Sequence, residues 1–452
     1  MHRRLAPRTL ATLLALSGTV ATTPSTSRAQ PGSFAGPVPA ERLAARRQAL
    51  ADRIGVGVAV LAAAPERDED GRDHPQDNFY RQDNDFFYLT GLETPNAWLV
   101  IVARDSAPDE SILFIPARDT LKERWWGPQL VPGPEVQALT GIRDVRPNAD
   151  AARDIMRAVR SGNSPARRGT LFIKRTPEML RNPVLRELNE LPDLRVDDLS
   201  RTLAGLRLIK DADEIARIRR ATDLSVEGHL AAWRVAKPGT WERELEADAE
   251  ATWRRLGAER NAYPSIVAGG LRSVHLHMTN NRGQLGDGDV IVMDMAAEHG
   301  YYKSDVTRTI PANGRFTPRQ RAIYDLTLGA QQAALDSVRP GITIGRLNAI
   351  ARDYMRAHSG TLCGGESCDR FFVHGLSHWL GMDTHDVGPY NVPLQPGMVL
   401  TVEPGLTMAA EGFRIGIEDV VVVTATGAEN LSAKLPRKAD EIEAFLRRPR
   451  VK

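Results

Sequence analysis

The spacing of apolar residues divides the chain into helical and extended segments. Between residues 210 and 233 an apolar residue recurs every three or four positions, for example at Ile215 and Ile218, which predicts a helix with one buried face. Thr317 followed by proline predicts the start of another helix. The predicted helices cover residues 40–54, 149–160, 176–191, 210–233, 241–256 and 318–338. The predicted strands cover residues 55–63, 86–89, 97–103, 111–115, 289–296, 301–310, 398–403 and 413–424.

These elements form two groups along the chain. Strands and helices alternate in the first half, which is typical of an α/β unit. The second half combines long helices with strands that read as hairpins, so the whole chain is predicted to be α/β in the broad sense that includes α+β. We expect an amino-terminal domain over residues 40–205 and a second domain over 206–450, with the boundary near 200–207.

The first 29 residues have the pattern of a signal peptide. A short basic start precedes an apolar run over residues 10–21, and small residues near Ala29 offer a cleavage site. The apolar run is too short to span a bilayer, and no other stretch reaches the length that a span requires. We therefore expect cleavage near Ala29, a linker over 30–39, and a soluble mature protein exported to the periplasm or the medium.

Composition and net charge limit the kinds of molecule that the protein can be expected to bind. The chain has 42% hydrophobic and 26% charged residues, as globular proteins do. Its formal charge is +2, but the first 29 residues hold four arginines and no acid, so the remainder has 55 basic against 57 acidic residues. Without a basic stripe, nucleic acid is not expected as a partner.

Two cysteines lie close together in a glycine-rich segment. Cys363 and Cys368 could form a disulfide in an oxidising compartment, but the sequence does not decide whether they do. They are too few for a zinc site of the cysteine-rich kind.

Two acidic residues in the segment 289–311 are placed to face one another. If His299 and Gly300 form a two-residue hairpin turn, Asp294 and Asp305 become direct cross-strand partners with Cβ atoms about 5 Å apart. Two carboxylates in that position repel each other unless a proton or a cation lies between them. The pattern predicts such a bound charge.

A second acidic pair repeats this arrangement. Glu403 ends an apolar strand before Pro404, and Glu418 lies in the next apolar segment. Their odd separation places both carboxylates on one face if the hairpin loop has an even number of residues. Four carboxylates balance two divalent cations, and a hydroxide that bridges such a pair of ions is a strong nucleophile near neutral pH.

A histidine cluster over residues 373–386 can complete this site. His374 and His378 share a face whether the segment is extended or helical, and His385 follows with Asp386 beside it. A serine-hydrolase elbow is excluded here because Trp379 stands where its second glycine would be required.

Five motifs together resemble the pita-bread metallopeptidases, most closely the aminopeptidase P family. They are YPSIVAGG with HLHM, MD with SDVTRT, HGLSHWLGMDTHD, LTVEPG and IGIED, and they occur in the family's order. YRQDNDFFYLTGLETPNA resembles the family's amino-terminal domain, and LIKDADEIARIRRA resembles the start of its catalytic domain. The resemblance implies a catalytic domain with a curved, mainly antiparallel sheet covered by helices.

The resemblance also implies roles for individual residues. Two divalent ions are expected, Mn²⁺ first, with Zn²⁺, Co²⁺ or Fe²⁺ as alternatives, and Glu403 should also exchange protons with the attacking water. Three histidines should contact the substrate, and Asp386 is expected to orient one of them, His385. The implied metal ligands are Asp294, Asp305, His378, Glu403 and Glu418, and the implied substrate-side histidines are His277, His374 and His385.

The activity that the resemblance implies is hydrolysis of the bond between a first residue and a following proline in peptides. The alternatives are a prolidase, which would cut only Xaa-Pro dipeptides, and a metal-dependent lyase on the same fold. Members of the family are often dimers or tetramers, so the resemblance allows a homodimer or homotetramer, and the sequence itself does not decide the oligomeric state. The chain departs from the family pattern at Gly416, where many relatives have arginine and where this chain has Arg414 two positions earlier, and at Met278, where an aromatic residue is common.

Overall fold

The computed structural model describes residues 36–66, 80–105, 107–161, 170–176 and 194–447. The predicted signal peptide, most of the 30–39 linker and most of the predicted helix 176–191 lie outside these residues.

A six-stranded mixed sheet organises the first half of the described chain. Its order is β4-β3-β2-β1-β5-β6, with β1 antiparallel to β2 and parallel to β5. Successive strand residues face opposite sides, so Val58 and Val60 pack towards helix α5 while Ala59 and Leu61 join the core that includes α1. The strands are β1 (Gly57–Ala62), β2 (Trp98–Ala103), β3 (Glu110–Ile115), β4 (Asp144–Pro147), β5 (Thr170–Ile173) and β6 (Arg195–Asp198). The helices are α1 (Ala40–Ile54), α2 (Asn84–Thr90), α3 (Thr120–Trp126), α4 (Pro134–Thr140), α5 (Ala151–Ser161) and α6 (Ser200–Arg207).

One predicted strand of this half is wrong. Residues 86–89 lie inside helix α2, which begins after Asp83, whose side chain accepts a hydrogen bond from the Phe86 N–H. Gly91 ends the helix with a φ of 67°. All seven residues of α2 are buried, polar ones such as Asn84 and Asp85 included, so the sequence does not divide into a polar exposed face and an apolar buried face from which a helical period could be recognised.

The second half is built from antiparallel hairpins covered by helices, as predicted. Every strand pair of the described chain between residues 260 and 430 is antiparallel. The side chain of Thr317 caps α9, as its sequence predicted. The strands are β7 (Arg260–Asn261), β8 (Ile266–Gly269), β9 (Val290–Asp294), β10 (Ala297–His299), β11 (Tyr302–Lys303), β12 (Thr307–Pro311), β13 (Val399–Val402), β14 (Gly405–Met408), β15 (Phe413–Gly416), β16 (Asp419–Val423) and β17 (Ala428–Asn430). The helices are α7 (Ala212–Val235), α8 (Glu242–Arg255), α9 (Pro318–Leu335), α10 (Ile344–His358) and α11 (Ala439–Leu446).

The predicted strands 301–310 and 413–424 are each divided in two, and both divisions matter for the site. Asp305 lies in the gap between β11 and β12, and Glu418 lies in the gap between β15 and β16. Glu403 similarly separates β13 from β14, and Asp294 is the last residue of β9. The four acidic side chains therefore stand where the regular ladders are interrupted.

An aromatic stack and an ion pair join the two halves. Phe87 of α2 stacks on Tyr301 with ring centroids 3.7 Å apart, and Arg81 forms an ion pair with Glu298.

Cys363 and Cys368 form a disulfide. Within the described residues, no helix combines the length and the apolar character that crossing a membrane requires.

Candidate metal centre

The first acidic pair comes from the β9–β12 hairpin, but the predicted turn is wrong. His299 pairs with Tyr302, so the turn residues are Gly300 and Tyr301, both with positive φ. The direct partner of Asp294 is consequently Thr307, not Asp305. Asp305 lies two residues from Thr307, which leaves it on the same face of the hairpin as Asp294.

The second acidic pair comes from two hairpin ladders that share one register. Val402 pairs with Asp419 and Gly405 with Gly416, so Glu403 and Glu418 lie opposite each other in the gap between these pairs. The connecting loop between Met408 and Phe413 has an even number of residues, as the prediction required. The two hairpins touch at the site, because the Thr307 hydroxyl donates to Glu418 Oε2 at 2.7 Å.

His378 completes the cluster. Its Nδ1 lies 3.0 Å from the Trp379 carbonyl, so this nitrogen carries the hydrogen and Nε2 faces the carboxylates. Nε2 is 3.3 Å from Glu403 Oε1 and 3.4 Å from Asp305 Oδ2. One ligand atom each from Asp305, His378 and Glu418 lie within 4.8 Å of one another.

The cluster concentrates negative charge in a buried place. Burial, with repulsion from Asp305, raises the pKa of Asp294 to about 7. Burial also raises the pKa of Glu403 to about 7 and that of Glu418 well above its usual range. Burial lowers the pKa of His378, but its contacts with Asp305 and Glu403 outweigh that effect and hold the value at about 9. The carboxylates thus favour a proton or a cation among them.

The contacts of Tyr263 show most directly that a proton or a cation is required among these carboxylates. Its hydroxyl oxygen lies 2.6 Å from Asp294 Oδ1 and 2.6 Å from Asp305 Oδ1. A hydroxyl has one hydrogen to donate, so one of the two carboxyl groups must hold a proton in this arrangement. Carboxylate oxygens with one imidazole nitrogen are a donor set that suits divalent ions such as manganese. The residues therefore fit a metal centre.

The other predicted histidines lie around this cluster. The His385 ring is 4.3 Å from the His378 ring, centroid to centroid, and is exposed to solvent. His374 Nδ1 is 3.8 Å from Glu403 Oε2. Burial, followed by the charge of Arg414, lowers the pKa of His374 to about 4, and burial, followed by His378, lowers the pKa of His385. His277 is exposed.

Asp386 has a different place from the one predicted. Its carboxylate accepts from Arg207 Nη2 at 2.5 Å and from Lys210 Nζ at 3.1 Å, and all three side chains are almost fully buried. Among the described residues, no hydrogen bond joins Asp386 to His385. The prediction failed because two cations distant in sequence, Arg207 and Lys210, compete for this carboxylate.

Three contributors to the site were missed from the sequence: Tyr263, Thr307 and Thr401. The Thr401 hydroxyl lies 3.1 Å from Glu403 Oε1 and 3.2 Å from the His378 backbone nitrogen. All three belong to motifs of the sequence: Tyr263 to YPSIVAGG, Thr307 to SDVTRT and Thr401 to LTVEPG. Their hydroxyls could have been selected as hydrogen-bond partners for the predicted ligands, since metal-binding carboxylates are usually hydrogen-bonded themselves.

Comparison with known proteins agrees with this geometry. Residues 216–425 match the model of metallopeptidase family M24, and residues 43–165 match the aminopeptidase P N-terminal domain. The chain is 34% identical to an Xaa-Pro aminopeptidase of Escherichia coli K12 over 89% of this chain and 96% of that protein. It is 32% identical to rat Xaa-Pro aminopeptidase 3 over 82% and 77% of the two chains.

Solved structures give the same result. Aminopeptidase P from E. coli with the inhibitor Pro-Leu superposes with a TM-score of 0.83 at 31% identity, covering 91% of this chain and 99% of that one. Proline aminopeptidase P II from Yersinia pestis superposes with a TM-score of 0.81 at 34% identity, covering 90% and 99%. The chain belongs to metallopeptidase family M24, in the group of the Xaa-Pro aminopeptidases.

Proposed function

We propose that this chain is a metal-dependent aminopeptidase that releases the first residue of peptides whose second residue is proline. The observation that carries the proposal is the convergence of two acidic pairs and one imidazole, from two hairpins and one loop, in a single buried cluster. The names of the relatives, Xaa-Pro aminopeptidases that match along most of both chains, supply the substrate class.

Five residues would hold two divalent ions: Asp294, Asp305, His378, Glu403 and Glu418. We propose Mn²⁺ because four of the five donors are carboxylates, while Zn²⁺, Co²⁺ and Fe²⁺ remain alternatives. When bound, the ions would supply the positive charge that polarises the scissile carbonyl and favours the deprotonated form of water.

The chain's own residues would act on the substrate around these ions. Glu403 lies in the cluster and also close to His374, a position from which a carboxylate can exchange a proton with an attacking water. His277, His374 and His385 would contact the peptide and stabilise charge on its carbonyl oxygen. The peptide bond before proline has no N–H that could donate a hydrogen bond to the enzyme. The site would therefore recognise the substrate through the scissile carbonyl and the free amino group.

A peptide panel tests this function. The full chain loaded with Mn²⁺ is incubated with an Xaa-Pro-Xaa tripeptide, an Xaa-Pro dipeptide and an Xaa-Ala-Xaa tripeptide, each with and without chelator. We expect chelator-sensitive release of the first residue from Xaa-Pro-Xaa. Preference for the dipeptide would indicate a prolidase. No cleavage of any peptide by protein with two bound ions would contradict the peptidase and favour the lyase.

We also propose that the chain is exported and assembles as a homodimer or homotetramer. The basic and apolar pattern of residues 1–29 supports export, as does the disulfide between Cys363 and Cys368, a bond typical of oxidising compartments. Amino-terminal sequencing of the protein from cell fractions should find a new terminus near Gln30 outside the cytoplasm. Light scattering should give the mass of two or four chains, and the mass of one chain would reject the assembly.

A further inference from the structure

Two glycines leave a gap in the wall of the metal centre. Gly405 of β14 pairs directly with Gly416 of β15. Their shared face also carries Glu403, two residues before Gly405, and Glu418, two residues after Gly416. A Cβ atom built at Gly405 would lie 3.1 Å from both Arg414 Nη2 and His374 Nε2, and one built at Gly416 would lie 3.3 Å from Thr307 Cγ2 and 3.4 Å from Arg414 Cζ. The Arg414 guanidinium therefore lies in the space between Gly405 and Gly416, here named the glycine trough.

From the glycine trough Arg414 reaches His374. Arg414 Nη2 is 3.2 Å from His374 Nε2. An arginine side chain can only donate, so Nε2 must accept and carries no hydrogen. The hydrogen is on Nδ1, which donates to the Gly375 carbonyl at 2.8 Å. Arg414 and Gly375 together fix both the plane of the His374 ring and its tautomer.

Arg414 is buried, but its side chain is not fully hydrogen-bonded, which is unfavourable for a residue whose only role is to stabilise the fold. The residue is 8% exposed, and its Nε is buried with no hydrogen-bond partner among the described residues. Leaving a buried donor unpaired costs stability. Its nearby charges are the acids of the metal centre, Asp294, Glu403 and Glu418. Arg414 is thus directed at the site, at an energetic cost to the fold.

We propose that Arg414 is a positioning residue that holds His374 for the substrate, and that the glycine trough is the feature that admits it. This inference rests on the proposed function, because His374 has a substrate to contact only if the chain is a peptidase. It also accounts for glycine at position 416. The guanidinium comes from two residues earlier on the same face of the strand and covers the space that an arginine side chain at 416 would require.

Three variants test the proposal: Arg414→Ala, Gly416→Ala and the exchange Arg414→Gly with Gly416→Arg. Gly427→Ala is the matched control, because a Cβ there would meet no atom within 4 Å. For each Mn²⁺-loaded protein, kcat and KM on the Xaa-Pro-Xaa tripeptide, bound metal and thermal midpoint are measured. The tautomer of His374 is read from its ring nitrogen signals in ¹⁵N-histidine-labelled protein and assigned with His374→Gln.

We expect Arg414→Ala to lower kcat about 10- to 100-fold, the usual value of a hydrogen bond to a charged group, with KM changed less than about threefold. The ring signals of His374 should move from the Nδ1–H tautomer towards a mixture. Gly416→Ala keeps the charge and adds a methyl group in contact with the guanidinium and with Thr307, so it should lower kcat by less than Arg414→Ala does. The exchange should recover most of the loss, and Gly427→Ala should match the parent protein.

Other results would overturn the proposal. Wild-type kcat in Arg414→Ala, unchanged His374 signals, or a loss of kcat that only follows loss of bound metal would each do so. If the exchange does not fold, Arg414→Ala and Gly416→Ala still decide the question. If the parent protein does not cleave Xaa-Pro-Xaa, the proposed function fails, whereas the His374 signals still report whether Arg414 fixes the ring.

Discussion

The two hairpins that carry the acidic pairs differ in how accurately their strand pairing could be predicted from the sequence. In the Glu403–Glu418 hairpin the predicted loop parity is correct, and the two acids lie opposite each other. In the Asp294–Asp305 hairpin the predicted turn is displaced by one residue, and Asp294 faces Thr307 instead. Both pairs nevertheless converge. When the turn moves by one residue, the direct partner moves by two positions, here from Asp305 to Thr307. Because side chains alternate with a period of two, both positions lie on the same face of the hairpin.

Tertiary contacts explain the displaced turn. Tyr301 has a φ of 72°, which is uncommon for an aromatic residue. Its ring stacks on Phe87, and its hydroxyl contacts Glu93 at 2.6 Å and the Gln82 backbone nitrogen at 3.0 Å. All three partners lie more than 200 positions earlier in the sequence. Local turn preferences could not reveal them.

The largest expected effect comes from removing one acid of each hairpin. Asp305→Asn and Glu418→Gln should each lower kcat/KM about a thousandfold or more, because a catalytic metal supplies several kcal/mol of charge stabilisation. Glu429→Gln, at an exposed ion pair with Arg219, is the control. Peptide kinetics with metal analysis checks this. Near-normal activity in one acid variant would show that its hairpin does not contribute to the centre.

The next effect concerns the contact between the hairpins. Arg308 Nη1 lies 2.9 Å from the Thr307 carbonyl oxygen and 2.6 Å from that of Glu418, and Nη2 lies 2.7 Å from Asp419 Oδ1. Arg308→Met leaves Asp419 buried without its main partner, and should lower the free energy of unfolding by about 3 kcal/mol.

Denaturant unfolding measures this loss. Arg321→Met, which breaks exposed pairs with Asp325 and Asp440, should cost less than about 1 kcal/mol. Equal losses in the two variants would mean that the buried pair does not hold the hairpins together.

These hairpins also show how far sequence analysis reaches. The apolar periods predicted α7, α8 and α9 of the second half but missed α10 (Ile344–His358), and acid parity with the five motifs predicted which residues converge. The α2 segment was predicted as a strand because a fully buried helix has no exposed face, so its sequence shows no helical alternation of polar and apolar residues. The partners of Asp386 could not be predicted, since Arg207 and Lys210 reach it from more than 170 positions away. The Arg414–His374 contact depends on two glycines in different strands, which only the three-dimensional register brings together.

A pH effect should distinguish the metal-free centre from the loaded one. Burial raises the pKa of Asp294 and Glu403 to about 7, so the stabilisation from their protonated forms is fully present below their ordinary pKa of about 4 and is lost as the pH rises from there through 7. A cation must displace these protons, so its apparent affinity should rise at least about tenfold between pH 6 and pH 8.

Thermal midpoints with and without Mn²⁺ at several pH values check this. The Mn²⁺-induced increase should be larger at pH 8 than at pH 6. An increase independent of pH would mean that Mn²⁺ binds without displacing protons from this cluster.

The smallest expected effect is a loss in the free energy of unfolding when the glycine of either hairpin loop is replaced. Gly300 has a φ of 58° and Gly412 a φ of 73°, a region that costs other residues about 1–2 kcal/mol. Gly300→Ala and Gly412→Ala should each lower the free energy of unfolding by about 1 kcal/mol without changing bound metal. A much greater loss in Gly300→Ala would show that the contacts of Tyr301, not the turn itself, hold the first hairpin.

The central claim is that acids from both hairpins and His378 form one centre that removes a residue before proline. Titration of the metal-free protein with Mn²⁺, while the first residue released from an Xaa-Pro-Xaa tripeptide is measured, tests it most directly. The account predicts that activity rises to a plateau at two ions per chain and is abolished by chelator. Full activity without metal, or no cleavage with two ions bound, would contradict it.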